Sequence, residues 1–249
     1  MTRRIALVIE YEGTDYAGFQ RQANAPSIQE EIENAIYKFS GERVRINSAG
    51  RTDAGVHAKG QVIAFDTVST EGTSPLIRAL NYYLPDDIAV KCGRQTSPDF
   101  DPRRWATGRR YVYSIERGST RSPLNRRTVY RVAQQLDLYS MSRASKELEG
   151  IHDFAKFAGP LEDLKASTVR EVFGTEIRAL GEIIKIEIYG NAFLPHQVRR
   201  MSGALVDVGR GKLPLEAFSD LIDGNPTDAV AHSLPAHGLC LVEVTYNQF

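Results

Sequence analysis

The sequence predicts an α+β protein made of two halves that share one sheet, with a cleft between them. Three observations carry that expectation. The first half reads β-α-β-β-α-β, the split βαβ or ferredoxin-like order. The second half repeats that order after a longer lead-in, without a strong sequence repeat. At 249 residues, 42% hydrophobic and 25% charged, the chain has the length and apolar content for one large domain or two of ordinary size with a real core. The expected boundary divides residues 1–105 from residues 106–249.

The elements follow in order. Arg4 to Tyr11 is mostly apolar, as in a buried strand, and a polar, glycine-containing loop runs from Tyr11 to Gln20. Ser27-Ile28-Gln29-Glu30 after Pro26 is a capping box, so a helix starts there, with Ile28, Ile32, Ala35, Ile36 and Phe39 as its buried stripe. Val44 to Ser48 and Gln61 to Thr67 are the next strands. Ser74-Pro75 opens a helix that runs to about Tyr82, and Ile88 to Lys91 is a short strand after the break at Leu84-Pro85. In the second half, Arg110 to Glu116, Val169 to Ile177, Glu182 to Tyr189 and Leu239 to Tyr246 read as strands. Met141 to Leu148, Pro195 to Val208 and Pro214 to Ile222 read as helices. Gly118 to Leu136 lacks strong periodicity and is expected to connect the halves.

Composition narrows the function classes. Cys92 and Cys240 are far apart and form neither a zinc set nor a redox pair, which fits a reducing cytoplasm. The apolar run Ile5–Ile9 is too short for a signal-peptide core or a membrane span, so a cytoplasmic protein is expected. Formal net charge is zero, yet 23 of the 31 basic residues are Arg, the better bidentate phosphate ligand. Nine of these Arg fall within residues 101–131 against only Asp101 and Glu116, a local charge of +7, interleaved with Trp105, Tyr111, Tyr113 and Tyr130. Such a stretch is either a solvated basic face or a groove that tracks a nucleic-acid backbone.

The candidate chemistry gathers at Ala49-Gly50-Arg51-Thr52-Asp53-Ala54-Gly55-Val56-His57-Ala58. Gly50 and Gly55 are expected to supply positive φ, so that a bend can project Asp53 into a cleft, where a neighbouring guanidinium keeps it ionised. The same residues are also compatible with a connector whose Asp merely bonds its own turn. Gly209-Arg210-Gly211-Lys212 lacks the spacing and terminal Ser/Thr of a nucleotide loop.

Gly50 to His57 resembles the signature of the tRNA pseudouridine synthase A family. Further blocks extend the resemblance across nearly the whole chain in order. These are Tyr11 to Gln22, with Phe19 where Trp is usual; Ser27-Ile28-Gln29; and Phe100-Asp101-Pro102-Arg103, with Pro102 where Ala is usual. Arg109 to Tyr113, Asn191 to Arg199, with Gln197 where Met is common, and Pro235 to Leu241 complete the set. The resemblance implies the pseudouridine synthase fold, with two ferredoxin-like halves forming a mixed, mainly antiparallel sheet around a central RNA-binding cleft. It implies conversion of uridine to pseudouridine at positions 38–40 of the tRNA anticodon stem-loop, without cofactor or metal, by a homodimer. Asp53 is then the catalytic carboxylate, Tyr111 the side chain that meets the target base, and Arg199 the cation set against that carboxylate. Gly50, Arg51, Thr52, His57, Arg103, Arg109 and Arg110 are expected to bind substrate, while Tyr113 is left to packing. A uridine inside a stem must leave the stack before a carboxylate can reach its sugar, so base flipping is expected. The readings from other classes are a non-catalytic RNA-binding protein using the same basic groove and a metal-dependent nuclease built on Asp53 and His57.

Overall fold

The computed structural model describes residues 2–161 and 165–247. The chain divides into two compact units, Met1–Thr107 with Cys240–Phe249, and Gly108–Leu239.

The first unit runs β1 (Arg3–Tyr11), α1 (Ile28–Ser40), β2 (Asn47–Ser48), β3 (His57–Thr67), α2 (Thr73–Tyr83) and β4 (Ile88–Thr96). β1 lies between β3 and β4 and is antiparallel to both, and β2 pairs antiparallel with β3. The order β4-β1-β3-β2 is the ferredoxin-like one expected from the sequence. β3 is buried on both faces: Val62, Ile63, Ala64 and Phe65 are all at most 2% exposed. α1 begins as its capping box dictates, with the Ser27 side chain accepting from the Glu30 amide and Gly41 closing the helix in the left-handed region. Its stripe of Ile28, Ile32, Ala35 and Ile36 is buried, and each Ile contributes roughly 2 kcal/mol of transfer free energy. The strand expected over Val44–Ser48 is shorter, because Glu33 on α1 accepts from the Ile46 amide and Arg45 and takes that backbone out of the ladder.

The second unit runs β5 (Ala106–Arg117), β6 (Tyr130–Val132), α3 (Leu138–Glu147), β7 (Gly150–Asp153), β8 (Val169–Leu180), β9 (Ile183–Gly190), α4 (Gln197–Gly209) and α5 (Leu215–Asp223). β9 is antiparallel to both β5 and β8, and β7 extends the sheet beyond β8. The stretch Gly118–Leu136 does not join the units. It lies within the second one, where β6 returns parallel to β5, Ile115 opposite Tyr130. Its weak periodicity reflects a strand of only three residues. α4 is buried around most of its circumference, Gln197 and Ser202 included, rather than along the single expected stripe.

The last strand, β10 (Leu239–Tyr246), was expected to complete the second half. It instead pairs parallel with β3, Cys240 opposite His57 and Leu241 opposite Ala58, so its residues from Cys240 on belong to the first unit. Among the described residues no helix is long and apolar enough to cross a membrane.

Candidate active site

The loop between β2 and β3 holds Asp53 by its backbone. Gly50 offers its carbonyl to the Gln61 amide nitrogen at 2.8 Å and to the Ser48 hydroxyl at 3.0 Å. Thr52 is buried. Its hydroxyl bonds the Tyr11 hydroxyl at 2.8 Å and its carbonyl accepts from the Phe19 amide at 3.1 Å. The Asp53 carbonyl accepts from the Val56 amide at 3.1 Å, which closes a turn with Gly55 at φ +77°. The buried His57 then accepts the Gly13 amide proton on Nδ1 at 3.0 Å. Residues on either side of Asp53 are thus tied to Tyr11–Phe19, leaving the carboxylate on a short, fixed bend at intermediate exposure. Of the two glycines expected to need positive φ, only Gly55 has it. Gly50 has ordinary φ and open space where a Cβ would stand. The tight contact lies instead at Gly13, where a Cβ would come within 2.0 Å of the Val56 carbonyl oxygen.

Arg51 and Arg103, both exposed, line one hollow of about 240 Å³ with Gln20, Asn47, Ser48 and Asp101. The Asp101 carboxylate caps the following turn by accepting from the Arg103 and Arg104 amides at 2.8 and 3.0 Å, and the buried Pro102 gives its carbonyl to the Tyr246 hydroxyl at 2.7 Å. Two guanidiniums beside neutral amides suit a phosphodiester and a base edge. Phe19, which stands where Trp is usual, is 2% exposed and packs against Tyr11, so it supports the loop from inside.

In the second unit, Tyr111 and Tyr113 share one face of β5, as the two-residue repeat requires. The Tyr111 ring stands edge-on to Phe193 at 5.4 Å. Tyr113 is fully buried and donates its hydroxyl to the Pro235 carbonyl at 2.7 Å. Burial pushes its phenol far up, so it stays a neutral donor. Arg109 is 8% exposed and donates to the Asn191 carbonyl at 2.6 Å; Arg110 pairs with Glu187 and lies 4.4 Å over the Tyr189 ring. Each therefore has an internal job beyond the substrate contact expected of it.

Arg199 leaves α4 with its Nε donating to the Leu234 carbonyl at 2.8 Å, and the Leu234 amide returns a bond to the Arg199 carbonyl. The helix is entered through His196, the one non-glycine residue with positive φ (59°) among the described residues, a conformation costing on the order of 1 kcal/mol. Gln197 is fully buried and its side-chain oxygen accepts from the Leu194 amide at 2.7 Å, so the unusual carboxamide fixes the turn that aims the helix. Sequence reading gave no role to Tyr11, Gly13, Gln61 or the Leu234 carbonyl. Tyr11 and Gly13 lie inside the N-terminal block Tyr11 to Gln22 that shares the family resemblance, but only the tertiary pairing reveals what they hold.

The family described as tRNA pseudouridine synthase matches residues 7–103 and 144–247, which takes in every candidate residue of the first unit together with Arg199. The protein is thereby placed in the class of pseudouridine-forming isomerases. It is 42% identical over 246 residues to the tRNA pseudouridine synthase A of Geobacter sulfurreducens, covering 98% of this chain and 100% of that one. With the proteins of the same description from Myxococcus xanthus and Acetivibrio thermocellus it shares 40% identity over 98% of its length, covering 92% and 100% of theirs. This chain belongs to the tRNA pseudouridine synthase A family.

Proposed function

We infer that this protein isomerises uridine to pseudouridine in tRNA, at positions 38–40 of the anticodon stem-loop, with Asp53 as the catalytic carboxylate. The observation that carries this reading is kinship over essentially the whole chain to proteins described as tRNA pseudouridine synthase A. The Gly50–His57 loop sits inside the matched residues.

The reaction breaks the C1′–N1 bond, turns the base, joins C1′ to C5 and moves the C5 proton away, with a proton ending on the former N1. Nothing is oxidised and nothing leaves, so a fixed carboxylate and a pocket that retains the loose base suffice. Asp53 attacks the sugar or base, or removes a sugar proton. The clamp on Thr52 and His57 supports this role, because a reacting group must be held to within about an ångström. Arg199 serves the carboxylate's charge, Tyr111 meets the flipped base, and Arg51 and Arg103 hold the strand from which it comes. The protein acts as a cytoplasmic homodimer in this reading.

The test is pseudouridine formation in an unmodified tRNA transcript in excess EDTA. Pseudouridine has the same mass as uridine, so carbodiimide labelling and primer extension locate it. Wild type is expected to modify the anticodon arm, and Asp53→Asn is expected to bind the same RNA and modify nothing. Binding by both proteins with product from neither would make this an RNA-binding module and would remove Asp53 from the chemistry.

A further inference from the structure

The string Gly209-Arg210-Gly211-Lys212, which is no nucleotide loop by spacing, closes the end of a second hollow, of about 540 Å³. This volume falls within the 300–1,000 Å³ usual for small-ligand sites. The hollow lies wholly in the second unit, between the C-terminal half of α4 and the segment 229–235. Its polar lining is Tyr130, Asp207, Arg210, Lys212, His232 and Ser233. It is a built feature, because the 229–235 backbone runs so close to α4 that a Cβ on Gly203 would meet the His232 carbonyl oxygen at 2.0 Å.

Cations near a helix C-terminus often serve its free carbonyls. Here backbone amides already do so: Arg210 and Gly211 donate to Val206 and Val208, and Lys212 and Leu213 both donate to Asp207. The side chains are left for something else. Arg210 reaches Asp207 only at 3.4 Å, and its Nε is buried with no acceptor among the described residues. The exposed Lys212 ammonium meets no acceptor among the described residues. The lining also includes Ser233, His232 and Tyr130, the last belonging to the arginine-rich stretch of the sequence. The back wall is Leu234–Pro235, whose carbonyls hold Arg199 and Tyr113. The hollow therefore continues the helix face that carries Arg199.

We propose that this hollow is a second RNA subsite, taking a backbone phosphodiester on Arg210 and Lys212 with the attached nucleoside against Tyr130. The proposal rests on the tRNA reading above and extends it to residues outside the catalytic groups. Two cations against one paired carboxylate suit a singly charged diester, and an ammonium beside a guanidinium is a common phosphate grip.

The test uses Lys212→Glu and Arg210→Gln, with Lys212→Arg as the charge-retaining control and thermal melting as the check on folding. Binding of an unmodified tRNA transcript is followed against salt, alongside pseudouridine kinetics. Lys212→Glu and Arg210→Gln are expected to weaken binding and raise KM about five- to twentyfold. The salt slope should fall by about one for each, with kcat within twofold of wild type and Lys212→Arg close to wild type. An unchanged slope and KM in folded variants would overturn the proposal. Calorimetry with inorganic phosphate and with uridine 5′-monophosphate forms the second arm. Binding of either that is lost in Lys212→Glu while the tRNA slope stays fixed would make this a free-anion site and would overturn the RNA assignment. A wild type that makes no pseudouridine defeats the activity reading. An active wild type with unaffected variants defeats only the subsite.

Discussion

Replacing Gly13 by Ala tests whether the grip on the Asp53 loop matters to catalysis. The added methyl would stand 2.0 Å from the Val56 carbonyl oxygen and 2.8 Å from its carbon. Both are backbone atoms, so no rotamer relieves the clash. To reach even 3.0 Å the two loops must part by about an ångström, and that movement stretches the 3.0 Å bond from the Gly13 amide to His57 beyond its useful range. Overpacking costs about 1–3 kcal/mol, and a buried amide left without its acceptor about 1–3 kcal/mol. Gly13→Ala should therefore lose about 2–6 kcal/mol of stability. Because the moving segment directly follows Asp53, kcat should fall on the order of a hundredfold in the molecules that remain folded. Gly174→Ala on β8 is the internal control, with ordinary φ and nothing within 4 Å of the new methyl, and should melt and turn over like wild type. Urea titration gives the stability, and single-turnover pseudouridine formation at saturating enzyme gives the rate. If Gly13→Ala kept both the urea midpoint and the rate of wild type, the clamp would not be what positions the aspartate.

Two further predictions concern stability. His57→Leu leaves the Gly13 amide buried without an acceptor and should cost about 1–3 kcal/mol, whereas His57→Asn places a side-chain oxygen near the site of Nδ1 and should recover most of it. Equal melting temperatures for the two variants would count against the bond. At Glu42, burial works to raise the carboxyl, but bonds from the Thr67 hydroxyl and the Val68 and Ser69 amides outweigh it and hold it below its ordinary value. A depressed carboxyl stabilises the fold above its unfolded pKa of about 4.3 and loses that contribution as pH falls through the lower folded value. The urea midpoint of Glu42→Gln should thus lie below wild type at pH 7, and the gap should close below about pH 4. A gap that stayed constant with pH would refute this sign.

Much of the protein was determined by local sequence alone. The capping box at Ser27, the period of α1 and the alternation on β5 act over a few residues, so their physics is contained in the letters themselves. The aspartate block could likewise be found as a string, because its members are contiguous. The tertiary structure decided what depends on distant groups. β10 pairs with β3, Cys240 with His57 at a separation of 183 residues, because ladder bonding has no sequence range, and so a strand counted with the second half joins the first unit. Gly50 and Gly13 look alike as letters, yet only Gly13 is pressed against another backbone. Arg109 and Arg110 carry the same charge as Arg51 and Arg103, but the fold turns the first pair onto internal partners and leaves the second pair at an open hollow. Charge and residue type are local properties. Exposure and partnership are set only when the whole chain has chosen its neighbours.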